Sequence, residues 1–353
     1  MLHSWGCNVN GALGRGALGG FDNALARVPA IAEPVVSIAA GWGHSVAVTA
    51  SGDALVFGRA IDGRNALRFG QLAARSPWVA SVWTRRFGGH WSIDFPQPSL
   101  ASRGAESARA SFAFSLFQKQ GELFALGQNR HGQTGCGDAD EEVFNVRKVR
   151  IDKPVVSYAA GFQHCAAVDV EGGLWTWGNG ARGQTGRFRA TSQPDAAPFR
   201  VLQGASMVGC GLGHASCVMR DGSVLIWGKR QGVGGADAID PVPVGIAATQ
   251  LWCGQHHTVV VGDDGALWQF GQPPNELTMR TMRVEGLPRG VDVADVAAGW
   301  LGESVAVTRS GEAFRWDWDS PAKPLWAGVR VRKVSLGWRH RLAIVQDVTR
   351  GRA

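Results

Sequence analysis

No run of 18 apolar residues occurs anywhere in the 353-residue chain, which excludes a membrane-spanning helix. Charge is scarce too: Asp, Glu, Lys and Arg make up 18% of the residues, whereas glycine numbers 49. Little charge and abundant glycine point to many tight turns between short strands rather than to long solvated helices. None of the six cysteines, Cys7, Cys136, Cys165, Cys210, Cys217 and Cys253, forms a Cys-x-x-Cys pair. In a chain long enough to bury its own core they read as reduced, buried thiols. No paired carboxylates, Ser-His-Asp arrangement, His-Glu-x-x-His motif or phosphate-cradling glycine loop stands out. The expectation is therefore a non-enzyme with no catalytic residue, cofactor or metal ion. The start, Met1-Leu-His-Ser-Trp-Gly6, has no charged or apolar leader segment, so no secretory signal is expected. Tyrosine occurs once, against 15 tryptophans.

A repeat is present throughout the chain. It reads Gly-x-x-His, an alternating strand, a glycine turn, a second strand, then Trp-Gly or Phe-Gly. Copies begin at Gly41 to His44, Gly161 to His164, Gly211 to His214 and Gly254 to His257, each with its turn glycine eight residues after the histidine. That spacing fits one short strand plus a hairpin turn. Two copies are altered, with Ala113 and Glu303 at the histidine position, and a last copy, Gly337 to His340, stops after one strand. The missing half reads as Trp5 through Gly14. The pattern predicts an all-β, seven-bladed β-propeller closed by N- and C-terminal half-blades. It would be a single domain over 1–353, with a composite blade made of 334–347 plus 1–16. One histidine per blade is not the converging geometry of a metal site, so His44, His164, His214, His257 and His340 read as links between blades.

The segments Gly172-Gly-Leu-Trp-Thr-Trp-Gly-Asn-Gly-Ala-Arg-Gly-Gln-Thr-Gly186 and Leu126-Gly-Gln-Asn-Arg-His-Gly-Gln-Thr-Gly135 resemble the regulator of chromosome condensation family. Trp5–Gly14 and Leu126–Gly186 look similar to the family's mitochondrial member. That likeness implies a role with mitochondrial rRNA in large-ribosomal-subunit assembly, and a mitochondrial location in preference to a cytoplasmic or nuclear one. The family's founding activity implies the alternative of guanine-nucleotide exchange on a small GTPase, which needs no covalent chemistry. A structural subunit of a large complex is the third reading. Fold is well specified by such repeats and function poorly.

Two features mark candidate sites. Residues 59–110 form an insertion of about 52 residues where other repeats have about 18 to 30. It holds eight arginines and no lysine against three acids, a net of +5 out of the chain's +7. Arg59, Arg64, Arg68, Arg75, Arg85 and Arg86, interleaved with Trp78, Trp83 and Trp91, are the candidate RNA- or partner-binding residues. Guanidinium forks grip phosphates and aromatic faces stack on bases, but the same composition suits a protein interface or a solvated loop. The second feature is Trp42, Trp300 and Trp338, each following a repeat glycine, with Arg339 beside the last. Gly337-Trp-Arg-His340 resembles the motif holding the chromophoric tryptophans of the family's plant ultraviolet-B photoreceptor, although only this copy keeps the arginine. An aromatic and basic binding face or plain packing would each account for these residues. A further basic cluster is expected at Arg330, Arg332, Lys333, Arg339 and Arg341. The partners implied are rRNA, ribosomal or assembly proteins, or a small GTPase.

Overall fold

The computed structural model describes residues 1–9, 11–16, 19–63, 83–87, 90–137, 142–187, 195–229, 237–273, 276, 278–300 and 302–346. Of residues 60–63, 83–87, 90–97, 142 and 144 only the backbone is described. The chain opens with β1 (Leu2–Cys7) and β2 (Phe21–Arg27). It continues through β3 (Val35–Ala40), β4 (His44–Thr49), β5 (Ala54–Gly63), β6 (Trp83–Phe87) and β7 (His90–Ser102). The next sheet is β8 (Ser107–Ala110), β9 (Phe114–Lys119), β10 (Glu122–Gln128) and β11 (Glu142–Lys148). After it come β12 (Val155–Ala160), β13 (His164–Asp169), β14 (Gly173–Gly178) and β15 (Asp195–Gln203). Then follow β16 (Ala205–Cys210), β17 (His214–Met219), β18 (Ser223–Gly228), β19 (Ala238–Cys253), β20 (His257–Gly262), β21 (Leu267–Gly271) and β22 (Arg280–Arg283). The chain ends with β23 (Val293–Ala298), β24 (Ser304–Thr308), β25 (Ala313–Trp316), β26 (Lys323–Leu325), β27 (Val331–Leu336) and β28 (His340–Val345).

The architecture is an all-β propeller, and its count corrects the expectation of seven blades closed by half-blades. Five sheets stand alone: four of four strands and one of five, in the order β3-β4-β5-β7-β6. The sixth is a continuous seven-stranded sheet, β16 to β22. The cause is β19, whose first part pairs with β18 (Gly228↔Ala238 to Ser223↔Ala247) and whose last part pairs with β20 (Ala248↔Gly262 to Cys253↔Thr258). Between β15 and β16 the same crossing is broken by Gly204, at a φ of 91°. Ala247-Ala248 has no residue suited to that backbone, so the strand runs on extended. β1 lies beside β28, from Leu2↔Ile344 to Gly6↔His340.

Apolar side chains are buried between sheets. Leu2, Val28, Val35, Ile38, Phe57, Leu342 and Ile344 form one such seam, and Val168, Leu174, Val208, Cys217 and Trp227 another. Trp177, Trp227 and Trp316, which close three of the repeats, are fully buried, and each indole N–H finds an acceptor. Trp177 Nε1 donates to the Gln133 carbonyl at 2.9 Å and Trp227 Nε1 to that of Gln184 at 3.0 Å. The Gly-Gln-Thr-Gly loop of one repeat therefore covers the closing tryptophan of the next. Gly135 is required there: its φ is +68°, and a Cβ would lie 2.7 Å from Trp177 Nε1.

Candidate functional site

The innermost strands follow one another around an axis. Contacts pass from β3 to β8, β12, β16, the end of β19, β23 and β27, and back to β3. They enclose a channel of about 330 Å³. At one end each strand turns through its Gly-x-x-His segment or, after β8 and β23, through an altered copy of it, and backbone hydrogen bonds join these turns from sheet to sheet. The Trp42 N–H donates to Ser111 O (2.9 Å), Phe162 to Gly211 (3.1 Å), Gln255 to Gly299 (3.0 Å) and Trp338 to Gly41 (3.2 Å).

Behind this belt lie the histidines. His44 Nε2 meets Ser115 Oγ at 2.9 Å, His214 meets Thr258 Oγ1 at 3.2 Å and His257 meets Ser304 Oγ at 2.8 Å, while His164 Nε2 donates to the His214 carbonyl at 3.1 Å. Each bond crosses to the next repeat. Burial lowers the pKa of His44 and His164 to about 4 and that of His214, His257 and His340 to about 3. They are neutral structural links. Burial likewise raises the thiols, Cys217 to about 12 and Cys253 to about 11, and all six cysteines are free. Thiolate chemistry is thereby suppressed at the buried Cys165, Cys210, Cys217 and Cys253. Among the described residues no group of three or more His, Cys, Asp or Glu is placed to hold a metal ion.

The residue after each repeat glycine faces the channel mouth. Trp42 stacks on Trp338 with centroids 4.5 Å apart and planes 18° apart, and Trp338 meets Trp300 edge-on at 5.8 Å. On the other side Trp42 contacts Phe112 at 4.8 Å, and Phe112 contacts Phe162 at 4.3 Å. All five rings line the channel and stay half-buried. Arg339 lies over Trp338 at 4.4 Å, and Arg59 lies 5.8 Å from the Trp42 ring. The structure thus brings Trp42, Trp300, Trp338 and Arg339 together, and adds Phe112 and Phe162, which the sequence reading passed over. Their signal was the register: each occupies the same place after the repeat glycine, or after Ser111 in its stead.

The insertion begins at this face, where the Arg59 N–H donates to Gly43 O at 2.7 Å, and it extends the same sheet through β5, β7 and β6. The backbone of Trp83, Arg85, Arg86 and Trp91 lies on the β6–β7 hairpin, with Arg86 opposite Trp91. Arg64, Arg68, Arg75 and Trp78 fall outside the described residues. The basic cluster expected near the end is dispersed. Arg341 pairs with Glu303, Arg330 donates to Ser310 O at 2.7 Å, Arg339 sits on Trp338 and Lys333 points into the channel. Alternation along β27 and β28 sends neighbouring side chains to opposite faces.

Profiles for the regulator of chromosome condensation (RCC1) repeat match residues 1–48 and 35–64. Residues 1–64 thus carry RCC1 repeats, and the chain as a whole folds as an RCC1-like propeller. This RCC1-like propeller is 26% identical to the Arabidopsis thaliana ultraviolet-B receptor UVR8, over 92% of the chain and 78% of the receptor. It is also 26% identical to the human E3 ubiquitin-protein ligase HERC2 over 89% of the chain, but spans 7% of that protein's length. In fold it is similar to human WBSCR16 (TM-score 0.74, 18% identity, 97% of this chain and 98% of that one). It is also similar to Saccharomyces cerevisiae Prp20p (TM-score 0.72, 17% identity, 97% and 90%).

Proposed function

We propose that this RCC1-like propeller is a non-catalytic scaffold whose channel-mouth face holds RNA. The observation that carries the reading is the bond from Arg59 N–H to Gly43 O, which roots the arginine-rich insertion beside the Trp42–Trp338 stack. Cationic forks and flat aromatic faces at one place are what phosphates and unstacked bases require, and stacking contributes about 1–3 kcal/mol per base. The setting we assign is assembly of the mitochondrial large ribosomal subunit, which rests on the resemblance of Trp5–Gly14 and Leu126–Gly186.

The test is binding of structured rRNA fragments by the full chain and by a variant with residues 64–89 replaced by a short Gly-Ser link. Removing all of 59–110 would take out β7 and β8 and unfold the sheet. The expected result is affinity that drops steeply with salt and at least tenfold in the variant. Affinity indifferent to both would overturn the reading, and loss of a bound protein instead would reassign the insertion to protein docking. A second reading takes its support from Prp20p, whose described binding partners are Gsp1p and histones. Under it a small GTPase docks on this face, and the chain would accelerate nucleotide release from that GTPase.

A further inference from the structure

Deeper in the channel a charged group lies apart from the aromatic mouth. Arg109 from β8, Lys333 from β27 and Asp295 from β23 all line the cavity. Counted back from the turn residues Ser111, Gly299 and Gly337, they stand two and four places along their strands. At about 3.3 Å per residue this is roughly 7–13 Å below the turns. The strands carrying Arg109 and Asp295 lie across the ring from one another, so the guanidinium reaches towards the far wall.

Asp295 has a structural duty. It stands where Ser37 and Ser157 stand in their repeats, and those hydroxyls accept the N–H of the next inner strand, from Ala108 at 3.3 Å and Val208 at 3.2 Å. The Asp295 carboxylate accepts the Val334 N–H in the same way. A serine would suffice for that bond, yet this repeat places a carboxyl there. Burial pushes its pKa up to about 6, although both Lys333 and Arg109 pull it down.

The two cations are under-satisfied. Arg109 donates to its neighbour's carbonyl, Ala108 O, at 3.0 Å and lies 4.9 Å from the Tyr158 ring. Among the described residues Lys333 has no hydrogen-bond or ion-pair partner, and neither cation lies within 4 Å of a carboxylate oxygen. Both side chains nevertheless remain accessible inside the channel. Two positive charges against one carboxylate, lining a channel of about 330 Å³, leave a positive surplus that attracts anions into it.

We propose that Arg109 and Lys333 form an oxyanion site within the channel, taking the phosphate or carboxylate group of a small molecule that enters past the aromatic mouth. Arg109 supplies the planar fork, Lys333 the point charge, and Asp295, through its bond to the Val334 N–H, holds β27 in place. The site is separable from the RNA reading, because Arg109, the last arginine of the 59–110 stretch, lies on β8 and is kept when residues 64–89 are replaced.

The experiment is isothermal titration of the full chain with inorganic phosphate and, separately, with acetate. One arm reports a phosphate site and the other a carboxylate site. At least one anion should bind with one-to-one stoichiometry. Arg109→Gln and Lys333→Gln should each weaken it about tenfold, the usual loss with one charge-assisted bond. Asp295→Asn keeps an oxygen for the Val334 N–H and should tighten binding several-fold. Thermal melting of each variant establishes that it is folded. Trp338→Ala and the shortened insertion should leave inorganic phosphate binding unchanged, so loss of RNA binding in those variants would not touch this proposal. No binding of either anion up to about 10 mM, weaker than any specific site, would overturn it. Equal affinity in all the folded variants would overturn it as well.

Discussion

Two positions recur once per repeat, two residues apart, and the structure uses them in opposite ways. The first-strand histidine is the same residue in five repeats, is buried in each and bonds across to the next repeat in the four whose contacts are described above. The position after the repeat glycine reads Trp42, Phe112, Phe162, Leu212, Gln255, Trp300 and Trp338, and is half-buried throughout. Uniformity within a ring marks the contact that every repeat must make with its neighbour. Variety marks a position freed from that duty, where the rim can be tuned to a partner. The backbone belt through those same residues explains how both hold at once: main-chain atoms join the repeats, so the side chains need not.

The largest effect expected from this contrast is acid instability. The five histidines have ordinary values near 6.5 in the unfolded chain and about 3 to 4 when folded. The folded state therefore takes up fewer protons between those limits. Stability from the neutral rings is complete above about pH 6.5 and is lost progressively as pH falls towards 4. Asp295, held up to about 6, works the other way, but it is one carboxyl against five imidazoles. Denaturant midpoints measured from pH 8 to pH 4 should fall steeply below pH 6.5, and a flat profile would break the comparison.

Next in size, His214→Ala removes a buried ring and its bond to Thr258 Oγ1 across the repeat boundary, at an expected cost of about 2–4 kcal/mol in chemical denaturation. Gly135→Ala should lose about 2 kcal/mol, through its left-handed φ and the Trp177 ring it would strike. The smallest stability change is expected for Trp42→Ala, about 1 kcal/mol for a lost aromatic pair, together with a several-fold loss of partner binding. If Trp42→Ala destabilised the ring as much as His214→Ala, the rim would be structural after all.

What was legible in the sequence follows the same division. The Gly-x-x-His spacing and the closing Trp-Gly gave away an all-β propeller, because each motif makes a contact inside or next to its own repeat. The number of separate sheets was not legible. It turns on Ala247-Ala248, where a missing turn residue joins two repeats into one sheet, and periodicity registers turns more readily than their absence. Trp42, Trp300 and Trp338 were noticed because they are tryptophans. Phe112 was hidden because its repeat has lost both glycine and histidine, and Phe162 because phenylalanine drew less notice there than tryptophan. Arg109, Asp295 and Lys333 come from three distant strands at two different registers, so only the closed ring brings them to one cavity.

The unbroken sheet from β16 to β22 has a mechanical consequence. Elsewhere adjacent sheets meet only through packed side chains and scattered hydrogen bonds, which can slip. Across Ala247-Ala248 one uninterrupted strand is hydrogen-bonded to both neighbours, so this sector should move as one plate. Whatever breathing the ring undergoes is displaced to its diametric opposite, the sheet β3 to β7, which is also where the arginine-rich hairpin departs.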